Sequence, residues 1–439
     1  MCGVYFSNKN NNIKLGSKFI NRGPDYLNEK KHNNFFMGHS LLSLTGEFTP
    51  QPVTDKNIDI IFNGQIYNYD KELYKSDSYF ILNEYKKDKN YFWKNFDGEY
   101  AIVIFDLEKN SVIFLTDIFG TKPLFYSLEN NIISISSLRT TLELNGHKDI
   151  IKCAPNTIYE FNFDSLKLTI QQDYFQFNLD QFKTSFEDWN SLFLKSIEKR
   201  FANMKHDIIL PLSSGHDSGA IACALDLLDI KYYSFSFFKN ENEKVLSKRL
   251  LKRYVKSPLK TKFKYRPLKQ SKKETLTNYL YTDCDPYYYG AHLDVLNIDG
   301  RQDSGAVGLT YILEKSKKGN KNIKVVASGQ GGDEIYSNNQ SYNFGKSNPK
   351  FFNDDLREVF PWQNFYQGAQ VSYLSKEESI GGSFGLETRY PFLDKELVQE
   401  YLNFIPLLKN KYYKSPITNF LQINNYPFRE GSGKTGFSP

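Results

Sequence analysis

The sequence predicts two folded parts of different class. Residues 1–175 read as an α+β part in which β-sheets are sandwiched together with helices. Residues 186–439 read as a doubly wound α/β part that ends in a helical stretch. Three observations predict this. Short apolar runs closed by turn residues dominate the first part. From Phe186 onward, strand and helix patterns alternate, which argues for a parallel sheet. The chain has 439 residues, enough for two or three domains with their own cores.

In chain order, Ile58 to Phe62 is a short strand closed by the turn pair Asn63-Gly64. A helical signal covers about residues 78–94. Tyr100 to Phe105 and Ser111 to Leu115 flank Glu108-Lys109-Asn110, a hairpin arrangement. Asn131 to Ile135 and Thr157 to Phe161 continue the strand pattern. The polar, aromatic segment from Gln171 to Asp188 reads as a linker. Phe186 to Met204 is helix-like, Asp207 to Leu212 a buried strand and Ser218 to Leu228 a helix of small and apolar residues. Lys231 to Phe238 is a strand, Lys244 to Tyr254 a helix and Lys324 to Ala327 a later strand. Lys315 to Lys324 reads as a basic loop.

Composition excludes several classes. Lys+Arg is 56 and Asp+Glu is 50, a net charge of +6, too balanced for a strongly basic nucleic-acid binder. No run approaches the ~18 apolar residues of a membrane span. Met1 to Phe6 lack a basic region followed by a long apolar core, so no secretory leader is expected. Cys2, Cys153, Cys223 and Cys284 form no CxxC pair and no ligand-like spacing with the histidines. A cytoplasmic protein with reduced thiols is the expectation.

Chemistry gathers near the N-terminus. Removal of Met1 would put a thiol and a free α-amine on Cys2. An α-amine with a pKa near ~7.7–8.0 can act as base for its own nucleophile. Arg22-Gly23-Pro24-Asp25 offers a guanidinium suited to a carboxylate. Asn63 beside the Gly64 backbone N–H suits an oxyanion hole, and Ser76-Asp77 offers a carboxylate for an ammonium. Such a set describes hydrolysis of an amino-acid amide.

These segments, with Gly38-His39, Leu42-Ser43, Gln51-Pro52, Asn63 to Tyr69 and Asp117, Gly120, Lys122-Pro123-Leu124, resemble the N-terminal-nucleophile glutaminase domain of class II amidotransferases, especially that of asparagine synthetases. The resemblance implies Cys2 as nucleophile, Asn63 and Gly64 as oxyanion hole, and Arg22 and Asp77 as glutamine grips. Gln65 stands where that family usually has Glu. His39 is expected to be structural.

In the second part, Ser213-Ser214-Gly215-His216-Asp217-Ser218-Gly219 follows a strand and opens a helix. Converging backbone N–H groups and the helix N-terminus make an anion cradle suited to pyrophosphate, and Asp217 suits Mg²⁺. Ser328-Gly329-Gln330-Gly331-Gly332-Asp333-Glu334 follows a later strand, and Asp333 suits a second Mg²⁺ contact. With Gly385 to Asp394, these motifs resemble the ATP-pyrophosphatase synthetase domain of the asparagine synthetase family. That resemblance implies ATP contacts at Leu212, Ser213, Ser214, Gly215, Asp217, Ser218, Ser328 and Gly329. It also implies Lys434, in Lys434-Thr435-Gly436-Phe437, as the lysine that steadies charge while ammonia attacks an acyl-adenylate. Lys411 and Lys414 fall on a helix read either as phosphate-contacting or as a solvated face.

The expected activity is a glutamine-hydrolysing, AMP-forming amide synthetase that uses ATP and Mg²⁺. Aspartate is the default acceptor. Gln330 stands where asparagine synthetases carry an acid, and a Gln side chain is no base. This keeps open a different carboxylate: a sugar acid, a modified base or a secondary-metabolite precursor. Glu387 is the remaining candidate base. A catalytically reduced binding protein of the same fold is the other alternative. Partners expected are glutamine and a small carboxylate, with no nucleic acid and no membrane, and a homodimer is left open. The cluster Tyr287-Tyr288-Tyr289 reads as a pocket lining or a core patch.

Overall fold

The computed structural model describes residues 1–429 except 10, 33, 238–240, 257–260, 265–266, 290–297, 339–347 and 349. Every structural statement below concerns the described residues. The chain divides into two compact units. The first comprises Met1–Gln176, Asp283–Pro286 and Glu377–Glu387; the second comprises Phe177–Thr282, Tyr287–Lys376 and Thr388–Pro439.

The first unit holds two six-stranded sheets. One runs, in spatial order, Ile151–Lys152, Phe125–Glu129, Ile132–Ser136, Gly3–Ser7, Phe35–Leu41 and Tyr26–His32. The other runs Lys167–Gln172, Thr157–Asn162, Ser111–Thr116, Gly98–Asp106, Ile58–Ile66 and Val53–Asp55. Neighbouring strands pair antiparallel. Val4, Phe6 and Ile133 of one sheet share a core with Ile61, Val103 and Phe114 of the other. The alternate residues Ile60, Ile102 and Ile104 pack with Ile81 and Tyr85 of the helix Asp77–Lys87. Tyr5 packs with Phe19 and Leu142 of two short helices. The central strands are therefore covered on both faces. That is why Tyr100 to Phe105 is a continuous apolar run with no polar alternation.

Three sequence expectations are corrected here. The strand from Ile58 does not end at Asn63-Gly64 but continues to Ile66, pairing Asn63 with Ala101 and Gly64 with Tyr100. Gly64 has φ +132°, and a Cβ there would lie 2.0 Å from the Glu99 carbonyl oxygen. The glycine thus marks a close strand approach rather than a turn. The helix expected over 78–94 stops at Lys87, and a 3₁₀ turn follows at Phe92–Asn95. Asp88 Oδ1 accepts the N–H groups of Asn90 and Tyr91, a local alternative to helical bonding. The first two residues of the expected linker, Gln171 and Gln172, end an edge strand, Lys167–Gln172, which is too exposed to show apolar alternation.

The second unit centres on a five-stranded sheet in the order Thr261–Lys264, Tyr233–Phe237, Asp207–Pro211, Ile323–Ala327 and Glu387–Arg389. Asp207–Pro211 pairs in parallel with Tyr233–Phe237 and with Ile323–Ala327. Counted along the chain the order is 3-2-1-4-5, the doubly wound arrangement. The helix His216–Leu227 buries an almost continuous run from Ser218 to Leu225. The helix Glu187–Phe201 buries Trp189, Phe193 and Ile197. Each large apolar side chain so covered contributes about 1.5–3 kcal/mol. Ser304–Gly319 is helical, so the first half of the expected Lys315 to Lys324 loop ends a helix, and its last two residues open the strand Ile323–Ala327. It reads as a loop because its polar face carries the lysines while Leu313 and Ser316 face inward. Short helices at Lys395–Leu402, Pro406–Lys409 and Ser415–Ile423 make the C-terminal part. Tyr287 is 3% exposed and packs against Gly300, a core role. No helix is long and apolar enough to cross a membrane among the described residues.

Candidate functional sites

Strand geometry assembles the first site. Cys2 immediately precedes Gly3–Ser7, and Asn63 and Gly64 sit in Ile58–Ile66. The Cys2 backbone N–H donates to Asn63 Oδ1 at 2.8 Å. The Asn63 side-chain NH₂ is buried with no partner. Cys2 Sγ accepts from the Leu42 N–H at 3.4 Å. Burial pushes the thiol up to about 11 and pulls the Met1 amine down to about 5. At neutral pH the thiol is thus protonated and the amine uncharged.

A cavity of about 40 Å³ opens against Cys2, with Gly64, Gln65, Ser76, Asp77 and Glu387 on its wall. That is room for about three water-sized groups. Asp77 lies in the first turn of its helix and accepts from Gln65 Nε2 at 2.9 Å and from the Ile66 N–H at 3.2 Å. Burial is the largest influence on its carboxyl and, reinforced by Glu387, raises it to about 7. Gln65 Oε1 accepts from the Thr45 hydroxyl. The Ser76 hydroxyl is buried without a partner.

Arg22 is not where a glutamine grip would be. It is 1% exposed and absent from the cavity wall. Its Nε donates to the Cys2 carbonyl at 3.2 Å, and its Nη groups reach the Glu378 carbonyl at 3.1 Å and carboxylate at 3.4 Å. Lys122 meets the same Glu378 at 3.0 Å and Glu99 at 3.6 Å. A fully buried guanidinium needs a fixed counter-charge, and Glu378 supplies it. Glu387, the candidate base, opens the strand Glu387–Arg389 and lies on the Cys2 cavity wall. The reason is that Glu377–Glu387 belongs to the first unit. His39 is fully buried, with Nε2 3.2 Å from the Phe62 carbonyl, and burial lowers it to about 4.

The second site lies at the sheet's switch point. Asp207–Pro211 and Ile323–Ala327 are neighbours whose crossovers leave in opposite directions, and a crevice at their carboxyl ends is the usual ligand place in such sheets. The Ser213 to Ser218 loop follows the first strand, and Ser328 to Gly331 follows the second. Leu212 is buried, with its N–H on the Phe235 carbonyl at 2.9 Å. Ser218 Oγ accepts from the Ser213 N–H at 3.1 Å, and Ser213 Oγ accepts from the Gly215 N–H at 3.1 Å. Gly329 and Gly332 approach Asp217 so closely that a Cβ on either would lie 2.9 or 2.4 Å from its side chain. The two glycine-rich loops therefore meet.

Lys414 sits between the two predicted metal-binding acids. Its Nζ lies 2.6 Å from both Asp217 oxygens and 2.8 Å from Asp333 Oδ1. Tyr413 donates its hydroxyl to the same Asp333 oxygen at 2.7 Å. The two carboxylates raise the Lys414 ammonium against the opposing effect of burial. Lys414, which the sequence leaves between a phosphate contact and a solvated helix face, is buried just before the helix Ser415–Ile423, and its pairing is not legible because 197 residues separate it from Asp217. Two further residues were missed. Arg249 Nη1 donates to the Ser213 and Gly215 carbonyls at 2.7 and 2.8 Å. Glu241 accepts the Ser214 N–H at 2.7 Å, and burial raises its carboxyl to about 7. Lys434 lies outside the described residues.

The family described as a glutamine amidotransferase domain matches residues 1–181. A Methanocaldococcus jannaschii protein that bears the name of a glutamine-hydrolysing asparagine synthetase is 25% identical over 429 residues, covering 90% of this chain and 73% of its own. A glutamine-hydrolysing asparagine synthetase of Lotus japonicus is 22% identical over 422 residues, covering 90% of this chain and 67% of its own. Over about nine-tenths of its length the chain is thus similar to glutamine-hydrolysing asparagine synthetases. The solved structure of the allosteric regulatory enzyme of purine biosynthesis covers 53% of this chain and 65% of its own at 13% identity and a TM-score of 0.33, a likeness too weak to argue from.

Gln330 stands in the turn after Ile323–Ala327, its N–H on Ser328 Oγ at 3.1 Å. The next residue, Gly331, has φ +90° and gives its N–H to the Glu334 carboxylate at 3.0 Å. The turn that presents position 330 is thus fixed by bonds from its backbone N–H groups to the Ser328 and Glu334 side chains, whichever side chain stands at 330.

Proposed function

We propose that this chain is a glutamine-dependent amide synthetase, with residues 1–175 as an N-terminal-nucleophile glutaminase domain and residues 186–439 as an ATP-pyrophosphatase synthetase domain. The observation that carries the first half is the Asn63 side chain. Its oxygen holds the Cys2 nitrogen, and its buried NH₂ has no partner. A buried donor left unpaired is costly, and an oxyanion formed beside Cys2 would satisfy it.

Cys2 Sγ adds to the carboxamide carbon of glutamine, and Asn63 and the Gly64 N–H receive the negative oxygen. Removal of Met1 leaves the amine on Cys2 itself, beside the thiol whose proton it is the candidate to take. Ammonia leaves with that proton, and water cleaves the thioester to glutamate. Asp77 is the candidate partner for the donor's ammonium.

In the second half, the Ser213 to Ser218 loop and the helix His216–Leu227 are proposed to receive the ATP phosphates, with Ser328 and Gly329 on the other side of the crevice. Asp217 and Asp333 converge on one cationic nitrogen, so their oxygens suit a divalent cation, and Mg²⁺ is usually held by one or two carboxylates plus phosphate. Bound there, Mg²⁺ would neutralise phosphate charge as pyrophosphate leaves. Lys414 would then turn from the carboxylates to the phosphates, and Lys434 is the proposed second cation. The acceptor carboxylate attacks the α-phosphorus, pyrophosphate leaves, and ammonia displaces AMP from the acyl-adenylate to give the amide.

Aspartate is the first acceptor to test. Gln330 favours the second reading, a different carboxylate, since no base stands at that position. A cytoplasmic location fits these substrates. The test is AMP and pyrophosphate release with Mg-ATP and glutamine across a panel of carboxylates that includes aspartate. Asparagine formation with aspartate alone establishes the first reading. AMP formation with another acid while aspartate is inert establishes the second. No AMP formation with any acid, while Cys2-dependent glutamine hydrolysis persists, would remove the synthetase half.

A further inference from the structure

The cavity beside Cys2 bears charges of one sign only. Glu47, Asp77 and Glu387 stand on its wall, and no lysine, arginine or histidine does among the described residues. The cations of this unit that lie near Cys2 are committed elsewhere. Arg22 is bound to Glu378 and to the Cys2 carbonyl, and Lys122 to Glu378 and Glu99. Lys75 precedes Ser76, is exposed, and does not line the cavity. The terminal amine is held neutral by burial. A free α-amino acid carries an ammonium and a carboxylate. This wall attracts the first and gives the second no counter-charge.

A second observation says that the wall expects a polar group. The Ser76 hydroxyl is 3% exposed, lines the cavity and has no partner. It sits next to Asp77, so an ammonium held by the Asp77 carboxylate would also reach the serine oxygen. Asn63 and Gly64 serve the carboxamide at the other end, against Cys2. The head group and the ammonium are thus both provided for by named groups.

We propose that the Cys2 cavity recognises its nitrogen donor by the carboxamide and the α-ammonium and not by the α-carboxylate, so that glutamine with a blocked carboxylate is a donor at least as good as free glutamine. The donor class is the glutaminyl amide: glutaminamide, or glutamine at the N-terminus of a peptide. The chemistry is unchanged. The C–N bond of the donor's terminal carboxamide breaks, a thioester forms at Cys2, ammonia leaves with the thiol proton, and water releases the side-chain acid. This inference rests on the glutaminase reading given above.

The test measures Cys2-dependent ammonia release from glutamine and from glutaminamide with the full-length protein. Chromatography separates side-chain hydrolysis of glutaminamide from loss of its α-amide. The expected ratio of kcat/KM, glutaminamide over glutamine, is about tenfold, the size of one favourable charge difference. A ratio below one overturns the proposal and leaves the glutaminase reading standing. Release from neither donor, with Cys2→Ala indistinguishable from the parent, overturns both.

A substitution at the cavity mouth gives an independent check. Glu47 is exposed, so Glu47→Lys replaces one surface charge by another without opening the core. It should raise kcat/KM for glutamine several-fold and lower it for glutaminamide. The same direction and size of change for both donors would overturn the proposal, because it would show no reading of the carboxylate end.

Discussion

Asn63 Oδ1 and the Cys2 backbone nitrogen lie 2.8 Å apart, joining the start of one sheet to the middle of a strand in the other. That bond orients the asparagine so that its NH₂ stays free beside the candidate nucleophile. A residue that holds the nucleophile and awaits an oxyanion leads to a sharp expectation.

Asn63→Ala should cut glutamine-dependent ammonia release by about 10²–10³ in kcat, the usual cost of one oxyanion donor. Amide synthesis from free ammonium should be retained. Both are read by coupling ammonia and AMP assays on the same preparation. Equal loss of the two activities would point to misfolding instead.

Lys414→Met should uncouple the halves in the opposite sense. It leaves half-buried Asp217 and buried Asp333 near each other without the ammonium that now separates them. Loss of one member of a buried ion network costs roughly 3–5 kcal/mol, so thermal unfolding should move down by several degrees. Added Mg²⁺ should restore more of that loss in the variant than it adds to the parent, since a ligand that binds only the folded state stabilises it. AMP formation should fall by at least ~10², and glutamine hydrolysis should persist.

Asp77 links stability and donor binding to pH. Its folded-state carboxyl, raised to about 7 from 3.8 by burial, binds its proton more tightly than the unfolded chain does. The stability it confers is full below pH 3.8 and is lost as pH rises to about 7, a total of roughly 4 kcal/mol. Asp77→Asn should flatten that loss, measured as the difference between parent and variant in denaturant unfolding from about pH 4 to 8. Donor binding has the reverse sign: ionised Asp77 holds the ammonium above about pH 7, so KM for the donor should rise as pH falls through 7 in the parent and not in the variant.

Gly219→Ala tests the phosphate loop. A Cβ at this position would lie 2.2 Å from Arg249 Nη2, forcing the guanidinium off the Ser213 and Gly215 carbonyls. Overpacking of this kind costs about 1–3 kcal/mol, more than the ~1 kcal/mol gained by replacing glycine in a helix. KM for ATP should rise while glutamine hydrolysis is unchanged, as read by pyrophosphate release.

Much of the fold is legible in the chain. The apolar runs at Ile58, Tyr100, Ser111 and Thr157 each became a strand, because residues covered on both faces leave a continuous apolar record. The alternation after Phe186 became the parallel sheet. Boundaries were less legible. Asn63-Gly64 reads as a turn until Gly64 is seen pressed against the Glu99 carbonyl. The edge strand Lys167–Gln172 is exposed, so it wrote no pattern at all.

Local sequence specifies which groups are available: the Cys2 thiol, the Asn63-Gly64 pair, and the two glycine-rich loops after strands. It can do so because each motif is completed within a few consecutive residues. The use to which each charge is put emerges from the folded chain instead. Arg22, which reads as a grip for carboxylate, is spent on Glu378, 356 residues away. Glu387 joins the wall beside Cys2, and Lys414 lies between Asp217 and Asp333. The physical reason is that a buried charge must find its counter-charge wherever the fold brings one, and sequence distance places no limit on that choice.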